Sequence, residues 1–182
     1  DCVMPCAGAE AFLVLNEDKA KQLKLPYARL LGTIERHNAF SADPVQMRAG
    51  WALDRDDLYS QAGCAPDDID FVETYDDYPV ISLMQLEDLG FCAKGEGGRF
   101  VADGNLISGT GRLPFNTDGG GLCNNHPANR GGMTKIIEAV RQLRGEAHPA
   151  VQVKSCALAL ANGTGGQLAS RHGAATLILE RA

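Results

Sequence analysis

Gly119-Gly120-Gly121-Leu122-Cys123-Asn124-Asn125-His126-Pro127-Ala128-Asn129-Arg130-Gly131-Gly132 runs straight into Met133, Ile136, Ile137, Val140 and Leu143. Apolar residues at that spacing lie on one face of a helix, and Gly145 ends it. The stretch is therefore a glycine-rich loop that opens into an amphipathic helix. Glycine lacks a Cβ, so such a loop lets backbone come close to a ligand. The histidine inside it is the residue type that moves a proton near neutral pH.

Working outward, apolar runs alternate with helical patterns. Ala11–Leu15 reads as a buried strand, Glu17–Lys24 as a short charged helix ended by Pro26, and Tyr27–Arg36 as a second strand with Leu30, Leu31 and Ile34 in the core. Asp54 is placed to N-cap a helix through Leu58 to Ala62, with Gly63 past its end. Ile69–Glu73 is a third strand. Val80, Leu83, Met84 and Leu86 mark a buried helix closed by Gly90, although Glu87 and Asp88 at its end oppose the helix dipole. Residues 92–118 read as a long functional loop. Val151–Ala161 and Ala174–Leu179 are two closing strands, joined by Asn162-Gly163-Thr164-Gly165-Gly166. Strands alternating with helices specify a layered α/β domain.

The chain has 182 residues, 45% hydrophobic and 22% charged, enough for one domain with a real core. Its net charge of -6 argues against a broad nucleic-acid surface. The longest purely apolar run, Cys156–Ala161, is far too short to span a bilayer. Asp1-Cys2-Val3 is neither an initiator methionine nor a basic signal-peptide start, which predicts a beginning inside a longer protein. The six cysteines show no Cys-x-x-Cys pair, so no metal site is expected. They read as reduced, mostly buried thiols in a cytoplasmic protein.

Several motifs in register resemble one family. Gln61-Ala62-Gly63-Cys64-Ala65-Pro66-Asp67-Asp68-Ile69-Asp70-Phe71-Val72-Glu73 is similar to the segment leading into the second catalytic block of thiolases. The block itself is Tyr75-Asp76-Asp77-Tyr78, where common thiolases have Asn-Glu-Ala-Phe and sterol-carrier-type thiolases His-Asp-Cys-Phe. Gln85–Cys92 with Lys94–Gly98 is similar to the sterol-carrier and lipid-transfer subgroup. Asn116–Gly120 through His126-Pro127 resembles the Gly-His-Pro block, and the opening through Gly8–Ala11 resembles the first strand of the C-terminal half. The resemblance covers nearly the whole chain and implies a thiolase-like C-terminal domain over 1–182: a five-stranded mixed sheet with helices on both faces, one half of a two-half enzyme. The nucleophilic cysteine of a thiolase belongs to the N-terminal half, which the chain does not match.

The same resemblance assigns candidate site residues. His126 would act as base and oxyanion donor. Tyr75 stands where the family carries asparagine or histidine; a phenol donates a hydrogen bond likewise, and serves as acid or base once its pKa falls from about 10. A packed core tyrosine is the plainer reading. Asp76 either orients His126 or Tyr75 or binds a backbone amide. Asp77 reads as a solvated loop charge, and Tyr78 and Cys123 as packing. The backbone turn at Gly163 and Gly165 would form an oxyanion pocket. Aligning Gly163 with the family's Cys-x-Gly turn leaves Ala161 where a proton-relaying cysteine belongs, and Cys156 lies on the preceding strand. His172 is either a substitute proton source or a surface hairpin residue.

The resemblance thus implies an acyl-CoA acyltransferase acting next to a coenzyme A thioester, with no permanently bound cofactor. Its partners would be the N-terminal thiolase half and, in a homo-oligomer, a second copy. A second implied function is a retro-aldol carbon–carbon lyase on steroid or lipid side-chain thioesters, working with an OB-fold partner. A third is a non-catalytic lipid-handling module, since fold alone does not fix function.

Overall fold

The computed structural model describes residues 2–124, 126–127, 131–165 and 173–182. In chain order the elements are α1 (Glu17–Leu23), β1 (Ala28–His37), α2 (Trp51–Ala62), β2 (Phe71–Thr74), α3 (Pro79–Asp88), α4 (Gly97–Phe100), α5 (Gly120–Cys123), α6 (Gly131–Arg144), β3 (Leu158–Gly165) and β4 (Gly173–Arg181). The sheet order is β1-β4-β3-β2. β2 and β3 are parallel, while β4 runs antiparallel to both of its neighbours.

Helices cover both faces of the sheet, because successive side chains of a strand point to opposite sides. Val72, Leu160 and Ile178 join the core built with Trp51, Leu58 and Leu86. Their immediate neighbours Phe71, Ala159 and Leu179 join the other core, with Ala139, Leu143 and Cys156. All four residues of β2 are buried, as expected of a parallel strand covered on both faces. Glu73 is therefore drawn into the interior.

The layered α/β architecture holds, with four strands rather than five. Ala11–Leu15 forms no strand: Phe12, Leu13, Val14 and Leu15 are exposed. An apolar run becomes a strand only where a sheet edge accepts its backbone groups, and no edge among the described residues does. Instead a short segment lies along β2, where Val72 N–H donates to Pro114 O at 3.0 Å and Val72 O accepts from Asn116 N at 3.0 Å.

Other boundaries move for local reasons. Asp54 sits inside the first turn of α2, where it pairs with Arg36 at 2.5 Å, and Gly50 is the cap. Leu30 is exposed. β3 starts at Leu158 rather than Val151, because the Asp70 carboxylate receives the Ala157 and Leu158 amides at 2.8 and 3.0 Å. The acidic end of α3 is compensated from outside the helix: Lys94 pairs with Asp88 at 2.8 Å and Glu87 at 3.3 Å, and the Trp51 indole N–H donates to Asp88 at 3.0 Å. Residues 92–118 contain α4 and a short 3-10 turn rather than an unbroken loop.

All six cysteines are free, but only Cys156 is buried; Cys2, Cys6 and Cys123 are exposed, which corrects the packing role expected of Cys123. Burial pushes the Cys156 thiol up to about 12. At pH 8 a thiol reagent is expected to label Cys2, Cys6 and Cys123 in the native protein and Cys156 only after unfolding. Mass spectrometry of the labelled peptides checks this, and native labelling of Cys156 would contradict the packing described.

Candidate active site

The parallel pairing of β2 with β3 ends where Thr74 lies opposite Asn162. The chain leaves β2 at Tyr75, whose amide donates to Asn162 O at 3.0 Å. A buried polar chain secures that exit. Thr176 donates to Asn162 Oδ1 at 2.5 Å, Asn162 Nδ2 donates to Gln85 Oε1 at 2.6 Å, and Gln85 Nε2 donates to Tyr75 O at 2.6 Å. Every member is satisfied, and such a network rigidifies what it holds. Asn116 adds a second brace, accepting from Thr74 N at 2.8 Å and donating to Thr74 O at 3.0 Å.

Tyr75 and His126, 51 residues apart in sequence, meet here: the phenol oxygen is hydrogen-bonded to His126 Nε2. Their ring centroids are 5.5 Å apart. His126 Nδ1 has no hydrogen-bond partner among the described residues. Glycine is required beneath the two rings, because a Cβ on Gly131 would lie 2.7 Å from Tyr75 Cε2 and 3.4 Å from His126 Cδ2. The segment at the start of the chain ties the two loops together, with Val3 N donating to Asp77 O at 3.3 Å and Cys6 N to His126 O at 3.2 Å.

Asp76 takes the backbone role of its two readings. It accepts from Gly121 N at 2.7 Å and Leu122 N at 3.3 Å, and pairs with Lys135 at 3.4 Å. Its carboxylate fills the place of a side chain at Gly120, where φ is +62° and a Cβ would stand 2.1 Å from Asp76 Oδ2. Tyr78, expected to pack, is 46% exposed.

Gly163 and Gly165 do not form a turn. They are the last ladder residues of β3, opposite Ala175 and Gly173 of β4. β2 has already ended there, so β3 runs on past its parallel neighbour. A Cβ on Gly163 would lie 3.7 Å from Gly132 Cα, so this end of the strand passes close under α6. Gly166 and His172 lie outside the described residues. Ala161 is buried against α6, and Cys156 lies at the opposite end of β3 from Tyr75.

Beneath the pair sits a buried charge cluster that the apolar reading of α6 passed over. The fully buried side of α6 is Thr134, Lys135, Glu138, Ala139, Gln142 and Leu143, while Met133, Ile136, Ile137 and Val140 are half-buried. Lys135 is 1% exposed and lies 3.4 Å from Glu73. Glu138 accepts from Thr117 at 2.7 Å and Gln142 at 2.9 Å. The available signal was a polar stripe, Lys135, Glu138 and Gln142, on the same helix as the apolar one.

Burial pushes the Glu73 carboxyl well above the usual carboxylate range, with Lys135 opposing. Burial alone would lower Lys135, but the carboxyls of Glu73, Asp118 and Asp76 outweigh it and hold the ammonium above its ordinary value. An acid raised on folding contributes stability that is fully present below the ordinary value of 4.5 and is lost as pH rises through the folded value. Glu73→Gln is therefore expected to match the parent near the acid end and to gain on it steadily as pH rises. Urea unfolding of both proteins from pH 5 to pH 9 checks this; parallel stability curves would contradict it.

A fold of four mixed strands between helices, with a histidine loop docked at the end of the parallel pair, defines a class. The chain belongs to the thiolase C-terminal domain-like family, whose profile matches residues 32–181. It is 38% identical over 152 residues to a steroid side-chain-cleaving aldolase of Thermomonospora curvata, covering 80% of this chain and 38% of the relative. It is 32% identical over 170 residues to the benzoylsuccinyl-CoA thiolase subunit BbsB of Thauera aromatica, covering 91% and 43%. Among solved structures it is similar to the Ltp2-ChsH2(DUF35) aldolase, with a TM-score of 0.68 and 35% identity over 86% of this chain and 40% of that one. The chain spans about two fifths of the length of these relatives. Among the described residues no helix is long and apolar enough to cross a membrane.

Proposed function

We propose that this chain is the C-terminal half of a thiolase-superfamily enzyme that cleaves or forms a carbon–carbon bond beside a coenzyme A thioester, by retro-aldol chemistry. The observation that carries the proposal is the hydrogen bond between Tyr75 Oη and His126 Nε2, a contact in which no cysteine takes part. On a β-hydroxyacyl thioester this couple removes the hydroxyl proton. The bond between the α and β carbons then breaks, its electron pair passes to the α carbon as the thioester enolate, and the β carbon becomes a carbonyl. The couple returns a proton to the α carbon, so atoms and charge balance with no further reactant. The open end of β3 at Gly163 and Gly165 is where we place the thioester oxygen.

A second reading, acyl transfer by thiolysis, has its own support: the histidine loop that opens α6, and similarity to a thiolase subunit along 91% of the chain. The nucleophilic cysteine would then come from the N-terminal half. Either way the exposed run Phe12–Leu15 and the half-buried apolar side of α6 favour cover by that half or by a second copy. The solved aldolase relative favours a further protein partner, which the family resemblance makes an OB-fold. Free thiols fit the reducing cytoplasm.

The test is to assay the chain joined to its N-terminal half, with and without free coenzyme A. Retro-aldol cleavage releases a carbonyl compound and a shortened acyl-CoA without added coenzyme A and survives thiol alkylation. Thiolysis of a β-ketoacyl-CoA requires coenzyme A and is abolished by alkylation. The isolated chain is expected to turn over neither substrate, and failure of the joined protein on both would leave the lipid-handling reading.

A further inference from the structure

Lys135 takes no part in the chemistry just described, yet its surroundings connect it to both residues that do. It lies on α6, the helix that begins five residues after His126, and its ammonium is 3.4 Å from Asp76 Oδ1. Asp76 directly follows Tyr75. The same Oδ1 accepts the Gly121 amide at 2.7 Å, and Oδ2 accepts the Leu122 amide at 3.3 Å. Gly121 and Leu122 belong to α5, which ends three residues before His126. One carboxylate therefore links the exit of β2, the element before His126 and the element after it.

The linkage has little slack. A Cβ at Gly120 would overlap Asp76, and one at Gly131 would press on Tyr75. Lys135 is also the cation among several carboxyls. Glu73 of β2, Asp76, and Asp118 from the loop before α5 face it, and Glu138 of α6 faces Glu73 in turn. Without the ammonium, Asp76 would be left beside Glu73 and Asp118 in a buried site, with only the α5 amides to hold it in register.

We infer that Lys135 is a positioning residue: acting through Asp76, it fixes the backbone on which the Tyr75 phenol and the His126 imidazole meet. This rests on the reading that those two side chains work as a pair. A merely structural lysine would contribute to folding without setting the communication between the two rings, and that difference is measurable.

The experiment follows the His126 imidazole by nitrogen-15 NMR in the 182-residue chain at one fixed pH, assigned with His126→Asn. In the parent, Tyr75→Phe is expected to move the His126 Nε2 signal, because it removes the atom bonded there. In Lys135→Met the same Tyr75→Phe change is expected to move it no longer, and in Lys135→Arg, which keeps the cation, the response returns. In the enzyme joined to its N-terminal half, Lys135→Met lowers kcat about 10-fold to 100-fold, the usual cost of removing the support behind a functional side chain, while KM stays unchanged; Lys135→Arg recovers most of it. A folded Lys135→Met protein with the full Tyr75 response overturns the inference and leaves the reading of the pair standing. If Tyr75→Phe fails to move His126 in the parent, the pair and the inference fall together. Should Lys135→Met not fold, Asp76→Asn cuts the same link with little change of shape, and an unaltered response there also overturns the inference.

Discussion

Tyr75→Phe in the enzyme joined to its N-terminal half is expected to lower kcat/KM for retro-aldol cleavage by about 10²-fold to 10⁴-fold, the range for a positioned acid–base group. The phenol oxygen is the only atom removed, and it is the atom bonded to His126. The Tyr75 backbone stays fixed by Gln85 and Asn162, so the loss should fall on chemistry rather than on folding. His126→Asn is expected to cost a similar factor. Because the two groups share one hydrogen bond, the double variant should be little worse than either single one. Steady-state kinetics on one β-hydroxyacyl-CoA, with circular dichroism to confirm the fold, checks all three. Additive losses, or a Tyr75→Phe protein with parental turnover, would contradict the assignment.

Trp51→Ala is expected to destabilise the domain by about 3–5 kcal/mol. Trp51 is 1% exposed and sits in the core between α2 and the sheet. Its indole N–H donates to Asp88 Oδ2, which also receives the Ala49 amide at 3.2 Å. The substitution therefore opens a cavity and strips a donor from a buried carboxyl, two losses that add. For a chain of this size the melting temperature should fall by roughly 10 °C. Trp51→Phe keeps most of the packing and loses only the donor, at about 1.5–3 kcal/mol. Thermal melts followed by far-UV circular dichroism separate the two, and equal melting temperatures for Phe and Ala would show that packing contributes little.

The helices were legible because their signals are local. α1 and α2 end where Pro26 and Gly63 lead one to expect, and the start of α6 follows from its glycines and apolar spacing. Tyr75 and His126 were legible as separate candidates, each inside a patterned block. What was hidden depends on partners distant in sequence. Ala11–Leu15 has strand composition, but composition does not supply an edge to pair with. Gly163 and Gly165 resemble turn residues, but β4 extends β3 through them. Lys135 lay concealed on a helix read by its apolar stripe, because nothing local shows that the side with a lysine and a glutamate is the one turned inward. Asn162, Gln85 and Thr176 come from three elements and acquire meaning only once β3 and β4 have paired beneath α3.

The last of the four strands in sequence order lies inside the sheet. β4, at residues 173–181, is flanked by β1 on one side and β3 on the other, with Ala28 opposite Arg181. A ribosome emitting this chain in order must therefore deliver residues 173–181 before β1, at 28–37, finds a neighbour, and contacts of such long sequence separation form slowly. Until then β1 and β3 each present an unsatisfied edge, the kind of surface that sticks to other chains. A chain stopped before residue 173 lacks no residue of the Tyr75–His126 pair, yet it would stay in that adhesive state permanently. Interrupted synthesis should thus yield aggregates rather than a soluble fragment.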